Sequence, residues 1–177
     1  QQTYINYNRQ ALTNDQLKEL YKAMLKPRSI EEKMLLLLRQ GKVSKWFSGI
    51  GQEAIAAGVT MALQDDEYIL PMHRNLGVFT TRKIPLLRLF AQWQGKALGF
   101  TKGRDRSFHS GTQEYKIIGM ISHLGPQLGV ADGIALAHKL RKEKKVTAVF
   151  TVEGATSEED SLVARNIASV WAVTLLF

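Results

Sequence analysis

Three short segments carry the residue types that can hold a phosphate and a divalent cation. His73-Arg74 brings a guanidinium, whose forked donors match phosphate oxygens. Ser122-His123-Leu124-Gly125 precedes an Ala/Gly-rich stretch that reads as a helix, and the first amides and dipole of a helix favour an anion. Glu153-Gly154-Ala155 joins a carboxylate to two small residues, and a carboxylate suits a metal that bridges phosphates. A cation, helix-start amides and one acid are the parts needed to hold a diphosphate and its Mg²⁺. Each segment also has a plainer account. His73-Arg74 can be surface residues after an edge strand, the glycines near Leu124 can serve close helix packing, and Glu153 can cap the helix that follows. His109 sits in an accessible loop with no partner evident in the sequence. No Walker A, GxGxxG, HExxH or GxSxG motif occurs, so spacing alone leaves both accounts open.

The elements that must position these residues are legible in outline. Thr13-Asn14-Asp15-Gln16 has the spacing of a capping box, so a helix is expected from there. It should be interrupted or kinked near Pro27, resume through Ile30, Met34, Leu35 and Leu38, and stop at Gly41. Leu35 to Leu38 is apolar on every side, which predicts burial against a partner as well as the core. WFSGIG at 46–51 reads as a loop, 52–63 as a helix, and Tyr68-Ile69-Leu70-Pro71 as a short strand that delivers His73-Arg74 at its carboxyl end. Pro85 fits the first turn of another helix. GFTKGRDRSFHSGT, at 99–112, is expected to be an exposed loop. VTAVFTV at 146–152 is the clearest strand; it runs into Glu153-Gly154-Ala155-Thr156-Ser157, after which a helix should continue to about Trp171. Strand, glycine turn, helix and strand make a βαβ unit, hence an α/β fold with a parallel sheet flanked by helices. Ligands of such sheets bind outside the carboxyl ends of the strands.

Composition narrows the classes. With 177 residues the chain is one domain or a generous part of a larger one, and 45% hydrophobic content suits a buried core. Zero cysteines exclude disulfide scaffolds, thiol catalysis and cysteine-based zinc sites. A net charge of +8 permits anionic ligands without requiring them. The Lys139–Lys145 run, interrupted by Glu143, reads as a solvated helix end. No aromatic residues interleave it as stacking nucleic-acid binders require, so no nucleic-acid partner is expected. No apolar run approaches the ~20 residues that cross a bilayer. The start, QQTYINYNRQ, is unlike a signal peptide. The apolar VTLLF at 173–177 is expected to lie inside a sheet, and the natural protein to continue beyond it.

The residues themselves go further than periodicity. KWFSGIGQEAIAAG, LPMHRNLGVFTTR, QWQGKALGFTKGRDRSFH, MISHLGPQLGVADGIALA and VTAVFTVEGATSEED resemble, in order and spacing, the E1 α subunit of the 2-oxoacid dehydrogenase complexes, or the α portion of fused E1 chains. The likeness covers about residues 12 to 177. It implies a thiamine-diphosphate-binding α/β fold, incomplete at its C-terminal end, with residues 1–12 as an extension and 13–177 as a partial diphosphate-binding domain. His73 and Arg74 match the family's Tyr/His-Arg pair, with Arg74 expected on the diphosphate. Ser122 and Leu124 match the segment along the cofactor, with Leu124 near its bent middle. Glu153 falls on the acidic Mg²⁺ ligand, and Gly154 and Ala155 on the backbone donors beside the phosphates. A glutamate there points towards branched-chain-type members. Val152 stands where the family has its first motif glycine, and its Cβ is expected to crowd a phosphate. Glu159 to Ala164 depart from the family's Gly-Asp-Phe-His-Glu-Ala-like run, and the family's later Asn-Asn pair is expected beyond residue 177.

The implied activity is oxidative decarboxylation of pyruvate or a branched-chain 2-oxoacid, with acyl transfer to the lipoyl group of an E2 partner. The glutamate that activates the cofactor belongs to the family's β portion, so no catalytic residue is expected in this chain. His109 is the one candidate near the substrate channel. Implied partners are an E1 β subunit or portion, E2 and the 2-oxoacid, in an α2β2-type assembly of the bacterial cytoplasm. The alternative is a non-catalytic fragment or assembly protein that keeps the fold without the metal site.

Overall fold

The computed structural model describes residues 12–105, 109–120 and 125–177. Helix α1 spans Asn14–Arg39, with the Thr13 hydroxyl accepting from the Gln16 amide and the Gln16 side chain accepting from the Thr13 amide. It runs through Pro27 without a break, contrary to the expected interruption. Proline deletes one amide donor and crowds the preceding turn, but a 26-residue helix keeps its bonds on both sides, and Pro27 is buried. Leu36 on the expected all-round apolar stretch is 44% exposed, while Leu35, Leu37 and Leu38 pack on the core.

Helix α2 (Glu53–Ala62) is followed by strand β1 (Ile69–Leu70), α3 (Leu76–Thr81) and α4 (Leu86–Trp93), for which Pro85 is the N-cap. A 3₁₀ turn at Gln113–Tyr115 precedes α5 (Pro126–Leu140), β2 (Thr147–Val149), α6 (Glu153–Thr156), α7 (Glu159–Val170) and β3 (Leu175–Leu176). The helix expected after Ser157 is α7, and the short α6 precedes it across Ser157-Glu158. The strands form a parallel sheet in the order β1-β2-β3, with Leu70 opposite Val149 and Ala148 opposite Leu176. On the other side of β1, Ile117 makes a parallel bridge to Ile69. Within these residues β3 is the outer strand of the sheet, and Leu176 is 45% exposed.

Alternation along β1 splits the core into two layers. Ile69 joins a cluster with Met34, Leu76, Phe79, Leu89 and Trp93, and Leu70 joins one with Leu128, Ala131, Val149 and Ala164. Helices α1 to α4 thus cover one face of the sheet, and α5 and α7 the other. The segment expected to be an exposed loop is tied to this core. Phe100 packs on the first cluster, the Thr101 amide donates to Gln92 Oε1 at 3.0 Å, and Ser110 is buried. Among the described residues no helix is long and apolar enough to cross a membrane.

One core residue opposes folding. Asp132 on α5 is 4% exposed, both its carboxylate oxygens lack a hydrogen-bond partner among the described residues, and burial raises its pKa. The folded chain therefore holds this proton more tightly than the unfolded one. Its share of stability is complete below the ordinary carboxylate pKa of about 3.9 and is lost as pH rises through the raised value. Asp132→Asn should add about 1 kcal/mol at pH 8 and almost nothing at pH 4, read as the difference in urea midpoints at the two pH values.

Candidate functional site

The strand register decides which polar segments meet. Phe150 N donates to Leu70 O at 2.9 Å and Ile118 N donates to Ile69 O at 2.9 Å. Three chain segments therefore leave the sheet side by side and in the same direction: 71–75 after β1, 119–120 beside it, and 150–153 after β2. Helix α5 is fastened to the same end. Gln127 Nε2 donates to Phe150 O at 2.6 Å and lies 3.1 Å from Met72 Sδ, and its Oε1 is buried without a partner among the described residues. The sequence signal for Gln127 is a polar residue in the first turn of a small-residue helix.

The turn that presents His73-Arg74 is locked by its own chemistry. Asn75 is buried, its Oδ1 accepts from Met72 N at 2.8 Å, and its amide donates to Met72 O at 3.1 Å. The His73 ring stands edge-on to Phe47 with centroids 4.6 Å apart, and its Nδ1 is buried with no partner among the described residues. Burial pushes the His73 pKa down, and the charges of Arg74, His109 and Lys45 push it the same way. His73 is thus a neutral imidazole at neutral pH within a cationic neighbourhood. Arg74 is exposed, and Nη1 donates to Ser48 O at 2.7 Å. One arm of the fork is fixed, which leaves the remaining donors for an anion.

Glu153 opens α6 as an exposed carboxylate, and an added Cβ on Gly154 would meet nothing within 4 Å. Backbone and ligand can approach each other there. The Ala155 amide donates to Val152 O at 2.8 Å, so it is already engaged, and the Ala155 methyl is buried. Val152 has extended backbone (φ −125°, ψ 158°) and its side chain packs on the first core cluster. No left-handed conformation is needed at this position. His109 is half-buried and close enough for its charge to act on His73. Ser122 and Leu124 lie outside the described residues.

These residues fit a diphosphate: a fixed guanidinium, neighbouring cations, an open glycine and unpartnered buried polar atoms on His73 and Gln127. No group of three or more His, Cys, Asp or Glu side chains gathers for a metal among the described residues. Mg²⁺ is commonly held by one or two carboxylates plus phosphate oxygens, and Glu153 is the carboxylate present here. A separate hollow of about 460 Å³ lies at the opposite end of the sheet, between Lys139, Lys142, Lys144, Lys145 and Thr174.

Sequence comparison shows the family. The family model described as "Dehydrogenase E1 component" matches residues 21–177, and the chain belongs to that family. It is 30% identical over 165 residues to the 2-oxoisovalerate dehydrogenase subunit alpha of Pseudomonas aeruginosa, covering 93% of this chain and 40% of the relative. The corresponding Bacillus subtilis subunit is 32% identical over 171 residues, 94% of this chain and 51% of the relative. The mitochondrial subunit of Bos taurus is 28% identical over 166 residues, 94% of this chain and 36% of the relative. The chain thus spans between 36 and 51% of the length of these three relatives.

Proposed function

We propose that residues 13–177 are the diphosphate-holding part of the α component of a thiamine-diphosphate-dependent 2-oxoacid dehydrogenase, with residues 1–12 as an extension. One observation carries the reading: the β1–β2 register brings Arg74 and Glu153 to neighbouring carboxyl ends of one parallel sheet. Arg74 and the His73 neighbourhood would bind the diphosphate, Gly154 would let the backbone approach it, and Glu153 would ligate Mg²⁺. Ala155, with Gly154, would sit beside the phosphates, and Ser122 and Leu124 would lie along the cofactor, with Leu124 near its bent middle. Thiamine diphosphate supplies the carbon nucleophile and electron sink for decarboxylation. This chain's residues do the anchoring and keep the imidazole of His73 uncharged. His109 would face the substrate side.

The named relatives favour a branched-chain 2-oxoacid over pyruvate. Their designation as alpha subunits supports a β partner, an α2β2-type assembly and acyl transfer to the lipoyl group of E2. Titration calorimetry with thiamine diphosphate and Mg²⁺ tests the reading. Saturable binding is expected, falling at least about tenfold with Glu153→Ala because one charged ligand, worth roughly 1.5–3 kcal/mol, is removed. No heat at any Mg²⁺ concentration would favour a protein that keeps the fold without the metal site.

A further inference from the structure

The loop 46–51, which touches Arg74, is held by two acids from two helices. Glu31 on α1 is 1% exposed, and its two oxygens are each engaged by that loop. The Trp46 indole Nε1 donates to Oε2 at 2.8 Å, and the Gly49 amide donates to Oε1 at 3.0 Å. Between these two anchors lies Ser48, whose carbonyl accepts Arg74 Nη1. Glu53, at the start of α2, repeats the device. It accepts from Gly51 N at 2.9 Å and is itself held by Arg28 Nε at 2.6 Å, which keeps its pKa low. The space between Pro27, Glu31, Glu53 and Arg74 is a cavity of only about 10 Å³, so the loop has little room to move inward on that side.

We infer that Glu31 is a positioning residue for Arg74: it fixes the Ser48 carbonyl and so aims the guanidinium. A carboxylate suits this task because two N–H donors converge on it, and an ionised acid accepts from both. An amide in its place would present an NH₂ to one of those donors. The consequence for ligand binding rests on the reading of Arg74 as a diphosphate ligand; the aiming itself does not.

Side-chain ¹⁵N relaxation of the Arg74 Nε–H, measured on the whole chain without ligand, reads the aiming directly. It should report an ordered group in the wild type and a mobile one in Glu31→Gln. Trp46→Phe, which keeps a packed ring but deletes one donor, should show a smaller change in the same direction and decides the matter if Glu31→Gln does not fold. Titration with inorganic pyrophosphate and Mg²⁺ adds a coupling test. Glu31→Gln should weaken binding about tenfold in the wild type and not further in an Arg74→Gln background, since an interaction acting through Arg74 vanishes with it. Unchanged Arg74 order in both variants, or an equal tenfold loss in the Arg74→Gln background, would overturn the inference. If Arg74→Gln alone leaves pyrophosphate affinity unaltered, the diphosphate reading fails, and the relaxation measurement still judges Glu31.

Discussion

Arg74→Gln should lower the affinity for thiamine diphosphate with Mg²⁺ by about 100-fold and leave the thermal midpoint nearly unchanged. The guanidinium is exposed and donates to one backbone carbonyl, so the folded chain loses little without it. A diphosphate loses two charge-assisted hydrogen bonds at roughly 1.5 kcal/mol or more each, about 3 kcal/mol together. That is on the order of two decades in Kd. Calorimetry and a melting curve on the same sample check both halves. An affinity within about threefold of wild type would remove Arg74 from the site.

Gly49→Ala should be the most damaging small substitution in the chain. A Cβ on Gly49 would sit 1.9 Å from Arg74 O and 3.0 Å from Arg74 C, both backbone atoms that cannot swing aside. Either the loop 46–51 or the turn 72–75 must move. Movement of the loop breaks the bonds from Gly49 N to Glu31 and from Arg74 to Ser48 O. A cost of about 3 kcal/mol is expected, at the upper end for overpacking because strain and lost hydrogen bonds add. Diphosphate affinity should fall as well. Gly129→Ala is the control: an added Cβ there meets nothing within 4 Å, the residue lies inside α5, and a gain of up to about 1 kcal/mol is expected. Urea midpoints of the two variants should move in opposite directions. A Gly49→Ala midpoint equal to wild type would show that the contact is not a constraint on the fold.

What could be read from the residues was what local chemistry decides. The capping box at Thr13 and Gln16 needs only four neighbouring residues, and it forms as expected. The β-branched run VTAVFTV contains β2, although the strand itself is only Thr147–Val149, because the chain turns into α6 soon afterwards. The short α3 was not anticipated: LGVFTT has no helical period, since Leu76 through Thr80 are all buried, and burial on every side erases the amphipathic signal. Pro27 read as a break because local rules count the lost donor and not the packing around it. Of the site, Arg74 and Glu153 were evident as types, while their proximity depends on parallel pairing between strands about 80 residues apart. Glu31 and Glu53 were invisible for a different reason. Acids on a helix look like solvated surface until a distant loop supplies the N–H groups that bury them.

Substituting Mn²⁺ for Mg²⁺ and following amide broadening in the presence of thiamine diphosphate would probe the account at its centre. Relaxation by a bound paramagnetic ion falls steeply with distance, so it reports which backbone segments surround the metal. Residues 73–75 and 153–155 should broaden together and saturably, with Lys139 to Lys145 at the far end of the sheet unaffected. Broadening of one segment without the other, or broadening centred on the lysine-lined hollow, would contradict the convergence of Arg74 and Glu153 on one diphosphate.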